Sequence, residues 1–210
     1  MRNTLAILTL AFSLAAHGQL ISEFTGGDTL SVGPGSAGWE FTTTSPITLR
    51  SLGVYDSDLL TPGLYSSHSV GLWDSASHAL LASVVVPANG ATALGAFAYM
   101  PLASPLTLEA GHSYVLAASY KDSDFDFARG NVTSVTTDPR ITLGDALLSS
   151  GTGFEYPDLN VSGANAGFFG GNALEAVVPE PASMALVVAL ALLAFTAPVR
   201  GGERTPTVRS

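Results

Sequence analysis

Short apolar runs broken by turn residues recur along the middle of this sequence. Runs rich in Val, Leu, Thr, Tyr and Phe alternate with clusters such as Gly33-Pro34-Gly35 and Ala88-Asn89-Gly90. No stretch of this region keeps a 3.6-residue period between capping signals, which argues against helices. The pattern predicts strands at 39–44, 47–55, 68–73, 80–86, 96–100, 112–120, 132–136 and 141–147. Short strands at this spacing indicate an all-β fold, an antiparallel, jelly-roll-like β-sandwich.

Two of these strands carry further information. Between 47 and 55 the apolar positions change parity, from Ile47 and Leu49 to Leu52 and Val54. One extra residue near Arg50 would cause that change, so a β-bulge is expected there. The segment 114–120 is apolar at nearly every position, which is typical of a central strand covered on both faces.

An apolar segment near the start of the chain resembles an export signal in its layout. Arg2 provides a positive charge, residues 5–16 are apolar but too short to span a membrane comfortably, and Ala16-His17-Gly18 has small residues around one larger one. This order is typical of a secretory signal peptide. We therefore expect residues 1–18 to be removed and the mature chain to begin near Gln19.

A second apolar segment, residues 182–199, lacks any ionisable side chain. As a helix it would be roughly 27 Å long, close to the hydrocarbon thickness of a bilayer. Pro179 and Pro181 precede it and cannot continue a helix upstream. The basic residues that follow are Arg200, Arg204 and Arg209, and they favour the cytoplasmic side. The alternative is a buried core helix, but such helices rarely lack polar residues.

The order of motif, span and basic end carries a family resemblance. Val178, Pro179, Glu180 and Pro181 lead into the span, and the arginines follow it. This segment, 177–210, resembles the PEP-CTERM sorting signal of Gram-negative bacteria. The resemblance implies export by the Sec machinery, an inner-membrane intermediate, and recognition by exosortase, an integral-membrane cysteine protease. It also implies a final place at the cell surface or in the extracellular polymer matrix.

Charge limits the partners of the body between these segments, residues 19–176. It has 15 acidic residues and four basic ones, which are Arg50, Lys121, Arg129 and Arg140. Such a surface repels nucleic acid and anionic lipid headgroups, and it suits calcium or a hydrated polymer matrix. The chain has no cysteine, so neither disulfides nor thiol chemistry are available to it.

The body itself resembles a second family. The residues that carry this resemblance are Gly38-Trp39-Glu40-Phe41, Leu52-Gly53-Val54-Tyr55-Asp56, His68-Ser69-Val70-Gly71-Leu72-Trp73-Asp74 and Pro105-Leu106-Thr107-Leu108-Glu109-Ala110-Gly111. They are similar to DUF4082-like domains of bacterial surface proteins. The resemblance implies a β-sandwich and implies no reaction.

One group of residues suggests a metal site. Asp122, Asp124 and Asp126 alternate as in calcium-binding loops, and clustered carboxylates suit this hard cation. An EF-hand would need Gly at 127 and Glu at 133, which are Phe and Thr here, so that motif fails. The alternative is a solvated acidic strand face or turn. Calcium is the one cofactor that the sequence suggests.

Two tryptophans suggest a sugar-binding surface. Trp39 and Trp73 could form a stacking platform for a glycan, or they could be core residues of the two sheets, as their apolar flanks indicate. No metal-binding histidine spacing and no nucleophile motif accompany them, so no catalytic residue is predicted.

Three hypotheses for function follow, in decreasing order of support. The first is an exported, non-enzymatic protein of the cell surface or matrix, with the sandwich as a structural or adhesive module. The second is a carbohydrate-binding module, either with calcium as its cofactor or without a cofactor. The third is a glycan-active enzyme with paired carboxylates, whose separation cannot be read from a sequence.

Overall fold

A computed structural model of the chain describes residues 18–56, 63–121, 126, 128–162 and 167–176. The chain divides into two units, Met1–Ala176 and Val177–Ser210, and all described residues belong to the first. The apolar segments at 5–16 and 182–199 lie outside the described residues. Within the described ranges the regular structure is β-strand, and no helix there has the length and apolar character needed to cross a membrane.

The described strands lie along the whole of the body. They are β1 (Ile21–Thr25), β2 (Asp28–Leu30), β3 (Gly35–Thr43), β4 (Ile47–Tyr55), β5 (His68–Asp74), β6 (Leu80–Val86), β7 (Thr92–Leu94), β8 (Phe97–Leu108), β9 (Ser113–Tyr120), β10 (Ala128–Gly130), β11 (Ser134–Thr137), β12 (Ile141–Leu148), β13 (Leu159–Ser162) and β14 (Gly171–Glu175).

Two antiparallel sheets form the body. A six-stranded sheet has the order β13-β12-β3-β9-β5-β6, and a four-stranded sheet has the order β14-β4-β8-β7. Two small two-stranded pairs, β1 with β11 and β2 with β10, complete the described strands. Side chains from both large sheets share one hydrophobic core, so the predicted antiparallel β-sandwich is confirmed.

The core is built where apolar side chains alternate toward the facing sheet. Trp39 and Phe41 of β3 pack with their ring centroids 5.0 Å apart. Leu116 of β9 and Leu52 of β4 contribute from the two sheets, and both are fully buried. β9 lies between β3 and β5 and is buried along almost its whole length, as its apolar sequence predicts.

The structure confirms the predicted bulge and corrects two strand boundaries. The pairing of β4 with β8 changes register between Leu49 and Ser51, on either side of Arg50. The strand expected to begin at 132 begins at Ser134. The strand expected to end at 100 continues to Leu108, through Pro101 and Pro105. β8 pairs with β7 only from Phe97 to Tyr99. Beyond that no described strand pairs with its second side, and proline is tolerated on such an edge.

A buried side-chain amide joins the first and last described strands, β1 and β14. Asn172 of β14 is fully buried, and its Nδ2 donates to the Ile21 carbonyl oxygen at 2.7 Å and to Tyr99 Oη at 2.8 Å. Its Oδ1 accepts from the Ile21 backbone N–H at 3.1 Å. One side chain therefore satisfies backbone groups that would otherwise lack partners where β1 meets β14.

An arginine fork closes one end of the sandwich. Arg140, just before β12, donates from Nε to Asp138 Oδ1 at 2.9 Å and from Nη1 to Glu175 Oε1 at 2.8 Å. Its Nη2 lies 2.7 Å from Asp138 Oδ2 and 2.6 Å from Glu175 Oε2. Because both carboxylates are held by two N–H groups, the fork fixes the end of β14 to the start of β12.

Candidate functional site

The end of the sandwich opposite the arginine fork gathers the residues with the greatest potential for binding. β4 and β9 end here at Tyr55 and Tyr120, and β5 and β8 begin here at His68 and Phe97. Tyr55 is paired with Phe97, and its backbone N–H donates to the Gly170 carbonyl oxygen just before β14. We call this part of the molecule the loop end.

A buried histidine and carboxylate form the first feature of the loop end. The side chains of His68 and Asp126 are both 0% exposed, and Nε2 lies 2.9 Å from Asp126 Oδ2. The other ring nitrogen, Nδ1, lies 2.7 Å from the carbonyl oxygen of Ser119. A carbonyl and a carboxylate can only accept, so both ring nitrogens donate and His68 is a cation paired with ionised Asp126.

The ionised state of Asp126 has an identifiable cause. Burial disfavours the carboxylate, but the hydrogen bond from His68 and those from the backbone N–H groups of Ser66 and Tyr65 outweigh it. The pKa of Asp126 is therefore lowered from its ordinary value. The Ser66 N–H lies 3.0 Å from Oδ2, so the pair also holds the segment that leads into β5.

The predicted metal ligands divide into two groups. Asp122 and Asp124 lie outside the described residues. Asp126 is described, and its Oδ2 faces His68 and Ser66 in the interior. In the described part of the chain, no three His, Asp or Glu side chains converge as a metal site would require. Calcium binding by the 122–126 segment therefore stays a prediction.

An aromatic pocket is the second feature of the loop end. It has a volume of about 320 Å³ and lies among Phe24, Tyr55 and Phe97. The ring centroid of Phe24 lies 5.9 Å from that of Tyr55 and 5.9 Å from that of Phe97. The centroids of Tyr55 and Phe97 lie 5.7 Å apart. Apolar walls of this kind suit the hydrophobic face of a small ligand.

Polar groups line the same opening, which we call the aromatic pocket. They are Ser22, Glu23 and Arg129. The Arg129 guanidinium donates to the Gly26 carbonyl oxygen, which limits its freedom to move. A cation and a carboxylate beside three rings can fix the orientation of a ligand that carries hydroxyl groups.

A second pocket is lined in part by residues that directly follow those of the aromatic pocket in the sequence. It has a volume of about 220 Å³ and is lined by Asp56, Leu64, Ala98 and the turn at 87–91. Asp56 follows Tyr55, and Ala98 follows Phe97, so the ends of β4 and β8 contribute to both openings.

The two tryptophans lie inside the protein. Trp39 is 1% exposed and donates from Nε1 to the Gly171 carbonyl oxygen at 2.8 Å, in the core between the sheets. Trp73 is 3% exposed, on the other face of the six-stranded sheet. Phe154 and Tyr156 cover it, with ring centroids 5.2 Å and 6.4 Å away. Neither indole offers a face to a sugar. The alternative, core residues of the two sheets, describes Trp39 only, because Trp73 is on the same six-stranded sheet and is buried on its outer face.

The close cover over Trp73 depends on a glycine. A Cβ atom added to Gly71 would lie 2.7 Å from Phe154 Cζ and would also meet the Trp73 ring. Only a residue without a side chain leaves room for both rings above β5. The segment after β12 that carries Phe154 and Tyr156 is therefore packed on this outer face. It ends in a stacked pair of Tyr156 and His78, with ring centroids 3.8 Å apart.

The proposed sorting residues lie outside the described residues. They are Val178, Pro179, Glu180, Pro181, Arg200, Arg204 and Arg209. The last described strand, β14, ends at Glu175. Their assignment as a sorting signal stays a prediction that depends on the sequence pattern.

Apart from Asp126, which the sequence suggested as a metal ligand, the residues that form the two main features of the loop end were not predicted as a site. Phe24, Tyr55 and Phe97 are distant in sequence, and each falls in a short apolar run that looks like any core strand. His68 and Asp126 are 58 residues apart. Long-range pairing of this kind has no local sequence signal.

The fold and the loop end define a class of protein, an antiparallel β-sandwich domain with a small aromatic pocket among its loops. The chain belongs to the DUF4082 family, a domain of unknown function, and the family model matches residues 27–166. The match extends from just before β2 to the residues after β13 and excludes Phe24 and β14. A search of curated proteins found no match.

Proposed function

We propose that this chain is an exported, non-enzymatic protein of the cell surface or the extracellular matrix of a Gram-negative bacterium. The sandwich is its structural or adhesive module, and the segment 177–210 is its sorting signal. The observation that carries the proposal is the order of Val178-Pro179-Glu180-Pro181, the uncharged apolar span and the three arginines. The signal peptide at 1–18 starts export, and the span at 182–199 holds an inner-membrane intermediate for exosortase.

The buried histidine of the described body is engaged by other groups of the protein. His68 is the one histidine in its core, and both of its ring nitrogens are engaged with Ser119 and Asp126. A histidine enclosed in this way cannot reach a substrate as a general base. The strong charge of the body, 15 acidic against four basic residues, suits a hydrated polysaccharide matrix.

Processing can be tested by intact-mass measurement of the full-length protein made in a host that carries an exosortase. We expect a mature product that begins near Gln19 and ends near Pro179, recovered from the envelope or the medium. A matched variant replaces residues 178–181 with alanine and keeps the span. It should retain 182–210 and stay in the membrane. If both proteins retain the tail, the sorting proposal is wrong.

The aromatic pocket favours a second candidate function, carbohydrate binding, with calcium at 122–126 as a cofactor. Three rings with a cation and a carboxylate beside them are the specific observation in its favour. Because Trp39 and Trp73 are enclosed, the sugar face would stack on Phe24, which is the half-buried ring of the pocket.

A glycan array can test this candidate with the full-length protein. Phe24→Ala should remove binding, whereas Tyr65→Ala should not, because Tyr65 is 60% exposed and does not line the aromatic pocket. A parallel array with a chelator tests the calcium requirement. Absence of binding across a broad array, with a correctly folded protein, would rule out the second candidate.

A further inference from the structure

A long part of this acidic chain has no charged side chain. Between Asp74 and Glu109 the sequence contains no Asp, Glu, Lys or Arg. The stretch includes all of β6, β7 and β8. Every one of the 15 acidic residues of the body lies elsewhere.

The topology collects this stretch on one side of the sandwich. β6 is the last strand of the six-stranded sheet, and β7 is the last strand of the four-stranded sheet. β6 also contacts β8 across the two sheets. We call this side, residues 75–108, the uncharged flank.

The edge strand of the uncharged flank exposes large apolar side chains. Leu80, Leu81 and Val85 are 48%, 40% and 60% exposed. β6 pairs with β5 on one side, and no described strand pairs with the other. Edges are usually protected by charged residues, proline or a bulge. Leu80–Val86 contains no charge and no proline, and its one register shift lies near its first residues.

The opposite edge of the same sheet differs in charge. β13 also exposes apolar side chains, Leu159 and Val161. However, Asp158 directly precedes β13, and Asp145 on the neighbouring strand β12 accepts from Asn160. Pairing two copies along β13 would place these carboxylates beside the contact, whereas β6 itself has none.

We propose that two copies of this chain associate through β6, which pairs with β6 of the second copy in antiparallel orientation. With the two-fold axis at Ser83, Leu81 faces Val85 and Ala82 faces Val84. The residues of each pair lie on the same face of the sheet, so apolar side chains meet apolar side chains on both sides of a central Ser83–Ser83 pair.

Charge and symmetry both point to a second copy as the occupant of this edge. Two bodies with this excess of acidic residues repel each other, and the uncharged flank is the side on which they approach with the least repulsion. A two-fold contact uses the same edge on both copies and leaves neither free, so the association closes as a dimer. The pairing does not depend on where the protein is sorted.

A single cysteine tests the register, because the chain has none of its own. In full-length Ser83→Cys, the two introduced side chains would face each other across the axis with Cβ atoms about 4.5–5.5 Å apart. We expect a covalent dimer on mild oxidation or with a short thiol cross-linker. Thr142→Cys, on exposed β12 away from the flank, is the matched control and should stay monomeric. Equal cross-linking of both variants would overturn the proposal.

A pair of lysine variants tests which edge associates. Val85→Lys places a charged group opposite Leu81 of the second copy at both ends of the contact and should weaken the dimer by at least roughly tenfold in sedimentation of the full-length protein in detergent. Val161→Lys makes the same change on β13, where valine is 44% exposed, and should leave the dimer intact. Thermal unfolding of each variant checks that it is folded. Loss of association in Val161→Lys alone would place the contact at the other edge and overturn the proposal.

Salt provides a third measurement on the unmodified protein. Because the contact is uncharged and the bodies repel each other, screening should strengthen the dimer as the salt concentration rises from about 0.02 M to about 0.3 M. Weakening by salt would mean that ion pairs hold the copies together, which contradicts pairing through β6.

Discussion

Each end of the sandwich holds a cation between hydrogen-bond acceptors, but the two cations differ in their exposure to solvent. At the loop end, His68 and Asp126 are completely enclosed. At the other end, the Arg140 side chain is 33% exposed while it binds Asp138 and Glu175, whose side chains are 7% and 24% exposed. The loop end contains the two pockets described above, and the arginine end fixes the last described strand to β12.

The difference teaches how each pair contributes to the fold. An enclosed pair has lost its water, so each charge depends wholly on its partner and on backbone groups. A pair that water still reaches can exchange its partner for solvent at little cost. The loop end should therefore tolerate single changes poorly, and the arginine end should tolerate them well.

The largest expected effect is on the loop end. His68→Ala leaves the Asp126 carboxylate enclosed without its cation, and we expect the free energy of unfolding to fall by roughly 3–5 kcal/mol. Chemical denaturation of the full-length protein measures this. His112→Ala is the matched control because His112 is exposed at the far end. Similar losses in both variants would remove the distinction between the ends.

Lowering the pH should weaken both ends of the sandwich, because each contains an aspartate that stabilises the fold in its ionised form. The pKa of Asp126 is lowered, and so is that of Asp138, where Arg140 outweighs the opposing effect of burial. A group with a lowered folded pKa stabilises the fold above its unfolded pKa, about 3.9, and this contribution is lost as pH falls through the folded pKa. We expect the free energy of unfolding to decrease below about pH 4.

Asp→Asn variants, which keep the shape of the side chain, show which end of the sandwich causes the loss of stability in acid. In Asp126→Asn the acid-dependent part of the stability curve should become flatter, and in Asp138→Asn it should flatten by less. Denaturant midpoints measured between neutral and acidic pH provide the comparison. A larger flattening in Asp138→Asn would show that the exposed fork, rather than the enclosed pair, dominates the acid response.

The smallest expected effect is at the arginine end. Arg140→Met keeps much of the apolar stem and removes both ion pairs, so we expect a loss of about 1 kcal/mol or less. The loss should shrink further at high salt because the fork is partly exposed. Arg50→Met, at an exposed arginine of β4, is the control. A loss as large as that of His68→Ala would contradict the contrast between the two ends.

The strands with strong alternation were predicted well because their pattern is local. β4, β5, β6, β9 and β12 lie where apolar and polar residues alternate or where an apolar run ends at turn residues. The bulge at Arg50 was predicted for the same reason, since a change in parity is visible within one strand.

The short strands β1, β2, β7, β10, β13 and β14 were not predicted. They have three to five residues each, which is too few for a period to appear. β14 also begins at Gly171, and the glycines before it resemble a loop. Their backbone pairing depends on partners far away, such as β1 with β11 and β14 with β4.

By itself the sequence determined the all-β class, the positions of the longer alternating strands, the acidic charge and the uncharged stretch from 75 to 108. These features are composition and local pattern, and they do not depend on which segments meet. The sorting tail is a prediction of the same kind. Only the tertiary structure decided that His68 meets Asp126, that Phe24 meets Tyr55 and Phe97, and that β6 is the last described strand of its sheet. Those contacts join residues tens of positions apart, and chain folding rather than local propensity brings them together.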